Sequence, residues 1–170
     1  VSAFVALLRA VNVGGTGKLP MSTLKSIGEA AGLAKVATYI ASGNMVFTSD
    51  ADERAVKTAL ESGLEAYAGT RIGVLVRTLT EIDLVVAGNP FPGEPGNRTL
   101  ALFTDDMLSE AAIDRATGRD TEEIRLGHRA IYIHYPDGIA RSRLRIPADR
   151  TGTARNMNTV ATLARMAGSL

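Results

Sequence analysis

The sequence predicts an α+β protein of two small α/β subdomains. The first, residues 1–78, has the ferredoxin-like order β-α-β-β-α-β, and the second, residues 79–170, is a related β-α-β-β-α unit with an Arg-rich C-terminal segment. Three observations carry this expectation. Short apolar runs suited to strands alternate with segments of helical apolar spacing through the first 77 residues, in that order. Five of the seven residues from Pro90 to Gly96 are Pro or Gly, which breaks the pattern with a loop. Beyond that loop the order of elements starts again, without a detectable sequence repeat.

Ala3 to Leu8 is almost continuously apolar, as a central strand requires. A glycine loop follows, and Pro20 stands where a helix can begin, because a first-turn residue needs no N–H. Leu24, Ile27, Gly28 and Ala31 fall on one helix face, and Gly32-Leu33 ends that helix. Lys35 to Ile40 and Met45 to Thr48 form a hairpin around Ser42-Gly43-Asn44. Ser49-Asp50 caps the next helix, Asp50 and Glu53 having capping-box spacing, and Val56, Leu60, Leu64 and Tyr67 form its apolar face. Ile72 to Val76 completes the first unit, and Thr80 opens a short helix to Ala87.

In the second half, Thr99 to Phe103 is a strand and Leu108 to Ala116 a helix. Glu122 to Leu126 and Ala130 to Tyr135 form a second hairpin that turns at Gly127-His128. An arginine stretch from Arg141 to Arg150 leads into the last helix, whose start is Thr153 to Thr159 and whose apolar face is Val160, Leu163, Ala164 and Ala167.

Composition narrows the function classes. There is no Cys, which removes disulfides, thiolate catalysis and Cys-ligated metals, and with only two His a metal site would be mostly carboxylate. Neither a metal nor a cofactor is expected. The absence of Trp weakens any reading built on aromatic platforms for bases. The apolar start, Val1 to Leu8, is too short for a signal-peptide core or a membrane span, so no membrane association and a cytoplasmic location are expected. Eight arginines stand against two aspartates in residues 125–170, a net of +6, while residues 1–124 carry a net of −5. Such asymmetry favours an anionic partner for the basic end, although the arginines equally suit pairing with the acidic half.

The residues with the most chemical content lie between the first strand and first helix: Arg9, Asn12, Gly14, Gly15, Gly17 and Lys18. Glycines permit positive φ and close ligand approach, turn N–H groups can face an anion, and an arginine can hold a phosphate or carboxylate bidentately. A P-loop is absent, because Asn12 stands where its first Gly belongs and Leu19 where it needs Ser or Thr. A G-x-G-x-x-G fingerprint fails at Pro20. The ferredoxin-like order makes strands 1 and 2 parallel with a right-handed crossover, which brings Ser42, Gly43 and Asn44 to the same end of the sheet as Arg9 and Lys18. A second candidate is Arg155, Asn156, Asn158 and Thr159, at the start of the last helix, where free N–H groups and a partial positive charge suit an anion. The third is Arg141 with Ser142, Arg143 and Arg145, which suits a nucleic-acid backbone or a solvated face. For catalysis, Ser42 has no evident His–Asp support, and His134 suits a strand surface better than a general base.

Several motifs in order resemble a known family: Arg9-Ala-Val-Asn12-Val-Gly14-Gly15, Lys18-Leu-Pro20-Met21, Tyr39-Ile-Ala-Ser42-Gly43-Asn44, Asn89-Pro90-Phe91, Tyr135-Pro136-Asp-Gly138-Ile139-Ala-Arg141-Ser142 and Thr153-Ala-Arg155-Asn156-Met-Asn158-Thr159-Val160. Together they resemble the bacterial domain-of-unknown-function family 1697. The resemblance spans essentially the whole chain and implies an α+β fold with ferredoxin-like parts, but no activity. Ala10 departs from the family pattern, where Gly is usual, and Met157 stands where an aromatic is usual.

The expected function is binding of an anionic, phosphate-containing ligand, either a small molecule such as a nucleotide or a nucleic-acid backbone. The alternatives are an enzyme acting on a phosphorylated or carboxylated small molecule and a protein-interaction module with purely structural glycine loops.

Overall fold

A computed structural model describes residues 1–13 and 18–170. The chain forms two compact units, Val1–Ile82 with Leu163–Leu170 and Asp83–Thr162. The first contains β1 (Ser2–Leu8), α1 (Met21–Ala30), β2 (Ala34–Tyr39), β3 (Asn44–Ser49), α2 (Glu53–Ala68) and β4 (Val74–Thr78), and β4 runs directly into α3 (Leu79–Ala87). Its sheet has the order β2-β3-β1-β4, with every neighbouring pair antiparallel. This is the expected ferredoxin-like sheet. Because β1 and β2 are both antiparallel to β3, they run parallel to each other.

The core of the first unit follows from strand alternation. Phe4, Ala6 and Leu8 of β1 share a face with Met45 and Phe47 of β3 and with Val74 and Val76 of β4. That face meets Leu24 of α1 and Val56, Leu60 and Leu64 of α2, with Phe4 and Phe47 stacked at 5.7 Å. Each of these side chains larger than Ala6 contributes about 1.5–3 kcal/mol on burial. Asp52 caps α2, accepting the Ala55 N–H at 2.8 Å. The cap expected at Ser49-Asp50 is thus displaced by two residues, since the Ser49 hydroxyl instead accepts the Ala51 N–H in a local turn.

The second unit contains β5 (Thr99–Phe103), α4 (Glu110–Asp114), β6 (Glu123–Gly127), β7 (Ala130–His134) and β8 (Thr153–Asn156), and β8 leads into α5 (Met157–Gly168). Its sheet order, β6-β7-β5-β8, repeats that of the first unit, again antiparallel throughout. Leu102, Ile124, Ile131, Ile133, Leu144 and Ile146 form its core. The helix expected at Leu108 to Ala116 is only the five residues of α4.

Strand β8 is the principal departure from the sequence expectation. Thr153 to Asn156 pair with Leu100 to Phe103 instead of opening the last helix, which begins at Met157. Four residues with polar side chains at three positions carry no visible period, so only pairing with β5 identifies the strand.

The edge strands β4 and β8 end alike. In each, an arginine donates from Nη1 to the carbonyl of the residue before it at 2.9 Å: Arg77 to Val76 and Arg155 to Ala154. The next residue caps the following helix. Thr78 Oγ1 accepts the Glu81 N–H while the Glu81 carboxylate accepts the Thr78 N–H, and Asn156 Oδ1 accepts the Thr159 N–H. Arg77-Thr78-Leu79-Thr80 and Arg155-Asn156-Met157-Asn158 are therefore equivalent junctions. They form a repeat that the linear sequence hides. Among the described residues, no helix is long and apolar enough to cross a membrane.

Candidate functional site

The end of β1 is fastened on both sides. The Leu8 N–H donates to the Gly43 carbonyl and the Arg9 N–H to the Gly73 carbonyl, each at 2.9 Å. The β2–β3 turn therefore lies against the start of the loop, as the topology requires. Gly43 has φ +89°, and a β-carbon there would stand 2.6 Å from Val11 Cγ2, so both backbone and space require glycine.

Asn12 closes the base of the loop. Its amide donates to the Leu19 carbonyl at 2.9 Å and the Ala41 carbonyl at 2.8 Å, while its oxygen accepts the Leu19 N–H at 2.7 Å. Asn44 is fully buried, and its amide donates to the Tyr39 carbonyl and the Ser42 hydroxyl, each at 2.9 Å. Asn12, Ser42, Gly43 and Asn44 thus build the scaffold, with the two asparagine amides directed at protein groups. Gly14 and Gly15 lie outside the described residues.

A cavity of about 670 Å³ opens at this end of the sheet. Arg9 and Lys18 line it, together with Tyr67, Thr70, Arg71 and Ile72, whereas Ser42, Gly43 and Asn44 do not. Arg9 is half-buried, and Lys18 and Arg71 are exposed. The Lys18 and Arg71 side chains have no hydrogen bond or ion pair among the described residues. No described lining residue is a carboxylate. At an effective dielectric near 20, each cation within 4 Å of a phosphate charge is worth about 4 kcal/mol before desolvation. The nearby C-terminal end of α2 opposes this by about 0.3–1 kcal/mol, so the cations dominate.

Sequence reasoning missed Arg71 and misplaced Tyr67. Tyr67 was expected on the buried face of α2 but is 49% exposed and lines the cavity. The signal for Arg71 was present in the topology: β4 is antiparallel to β1, so the residues before β4 lie beside the end of β1.

The remaining candidates belong to the second unit. Arg155 lies on β8 and is 7% exposed. Its guanidinium donates to the Thr153 hydroxyl at 2.7 Å and the Ala154 carbonyl, and burial pushes its pKa down to about 10. Asn156 caps α5 through the N–H of the buried Thr159, and Asn158 abuts Gly96. Arg155 is therefore not at a helix N-terminus, and the Thr159 N–H is occupied. Arg141 is exposed and lines a separate cavity within the second unit. His134, expected on a strand surface, is buried: Phe91 stacks on it at 5.2 Å, and Nδ1 lies 3.1 Å from the Thr99 hydroxyl.

A family model described as "Protein of unknown function (DUF1697)" matches residues 1–132. Among solved structures, the chain is similar to the conserved bacterial protein SP0830 from Streptococcus pneumoniae, with 23% sequence identity, a TM-score of 0.79 and coverage of 98% of both chains. At that identity the likeness concerns the fold alone. The sequence matches none of the curated proteins.

Proposed function

The chain belongs to the DUF1697 family, and we propose that this member binds a small phosphate-containing ligand of nucleotide size in the cavity at the end of the first sheet. The observation that supports this reading is the convergence of Arg9, Lys18 and Arg71 on one cavity whose described lining contains no carboxylate. Arginine suits bidentate phosphate contacts, and Lys18 adds a point charge. The volume lies within the range of small-molecule sites, and the exposed ring of Tyr67 offers an apolar face for the rest of the ligand. These features favour a small molecule over a nucleic-acid polymer. Binding without catalysis is the simpler reading, because no His, Asp or Glu stands among the described lining residues to act as a base. A cytoplasmic location fits this ligand class.

The test is calorimetric titration with inorganic phosphate, pyrophosphate, the adenine and guanine nucleotides and a short single-stranded oligonucleotide. One of the phosphorylated small molecules is expected to bind saturably and to weaken with salt. Lys18→Ala and Arg71→Ala, both exposed and therefore tolerated by the fold, are each expected to weaken it about tenfold. Absence of binding at low salt, or an affinity in both variants unchanged from the parent, overturns the reading. Tight binding of the oligonucleotide alone replaces the small molecule with a polymer.

A further inference from the structure

The second unit contains its own cavity, of about 470 Å³. Asp120, Glu122, Tyr135, Asp137, Arg141 and Arg143 line it, so it carries both signs of charge. Its frame is fixed by internal bonds. The Glu122 carboxylate accepts the Asp120 N–H and the Ser142 hydroxyl, each at 2.8 Å, and Thr121 donates to Asp137 at 2.6 Å. Gly118 has φ +71°, and a β-carbon there would collide with the Arg143 carbonyl.

Other groups lining the cavity are not used by the frame. The side chains of Asp120, Arg141 and Arg143 make no hydrogen bond or ion pair among the described residues. Tyr135 is 8% exposed, yet its hydroxyl has no hydrogen-bond partner among them either. That hydroxyl oxygen is not one of the fully buried polar atoms, so solvent reaches it in the cavity and it is available to a ligand acceptor. Burial, reinforced by Glu122 and Asp149, raises the Tyr135 pKa, so the phenol remains a donor at neutral pH.

Unpaired charges of opposite sign held apart around one cavity match a ligand that carries both. We propose that this cavity binds a small zwitterion of the α-amino-acid class, with its ammonium group on Asp120 and Asp137 and its carboxylate on Arg141 and Arg143, the Tyr135 hydroxyl donating to that carboxylate. Phosphate alone fits less well, because three carboxylates line the same space. Among the described residues, no group of three acidic, His or Cys residues is placed to hold a metal.

The experiment titrates the full chain with each of the twenty free amino acids and with inorganic phosphate, then repeats any hit as its N-acetyl and methyl-ester forms. At least one amino acid is expected to bind saturably, with each capped form about tenfold weaker or worse. Arg141→Ala, an exposed change, should weaken binding about tenfold, and Tyr135→Phe several-fold with an unaltered circular dichroism spectrum. Arg9→Ala should leave it unchanged, which separates this site from the one in the first unit. No binding by any amino acid, equal binding of the capped forms, indifference to Arg141→Ala, or phosphate binding that is lost in Arg141→Ala would overturn the proposal.

Discussion

The side chain of Arg9 lies across Gly73, its Cδ 3.1 Å from the position that a β-carbon on Gly73 would take. A methyl group there crowds the arginine stem without unusual backbone demands. Gly73→Ala is expected to weaken phosphate-ligand binding about fivefold and to change stability by less than about 1 kcal/mol. Titration beside a thermal melt checks this. Unchanged affinity would remove Arg9 from the ligand's contacts.

Ala10 has φ +49°, a left-handed conformation that costs an L-residue about 1–2 kcal/mol. Glycine relieves the strain but loses more entropy on folding. Ala10→Gly is therefore expected to raise stability by about 0.5 kcal/mol, measured by denaturant unfolding.

Asn12→Ala removes three hydrogen bonds at once and leaves the part-buried N–H and carbonyl of Leu19, and the exposed carbonyl of Ala41, without that partner. The expected loss is about 2 kcal/mol. Ligand affinity should fall with it, since Lys18 is next to Leu19. A variant as stable as the parent would contradict the clasp.

The matching helix caps offer a control. Thr78→Ala and Asn156→Ala should each cost about 1 kcal/mol. Neither should alter binding at Lys18 and Arg71, so a large loss of affinity in either would mean that the site depends on these junctions.

Glu122 supplies a pH test. The Asp120 N–H, then the Ser142 hydroxyl, hold its pKa below the usual 4.5. A depressed carboxylate stabilises the fold above its unfolded pKa, and that contribution is lost as pH falls through the folded value. Wild type should therefore lose stability below about pH 4.5 more steeply than Glu122→Gln. Parallel melting curves from pH 5 to pH 2.5 would rule out this contribution.

How much of this was legible depended on the kind of signal. Strands such as Ala3 to Leu8 and the long helix containing Val56, Leu60 and Leu64 announce themselves by apolar spacing, and their order yields the sheet topology. Topology in turn brings the Arg9 loop to the Ser42 turn. Strand β8 was hidden because Thr153-Ala-Arg155-Asn156 has no apolar alternation and acquires strand geometry only by pairing with β5. Side-chain direction was equally hidden: Asn12 and Asn44 look like ligand donors in sequence, yet they donate to backbone and hydroxyl groups of their own scaffold. Arg71 is a lone arginine before a strand, and nothing in its sequence neighbourhood forms a motif that singles it out.

The bond from Asn12 to Leu19 also has a practical side. One side chain anchors the chain at Leu19 with two hydrogen bonds, directly after Lys18. A reporter group attached in place of the Lys18 ammonium would therefore sit at the cavity beside a fixed point of the backbone, and its signal would follow what enters the cavity while the sheet's hydrogen-bond ladder stays in register.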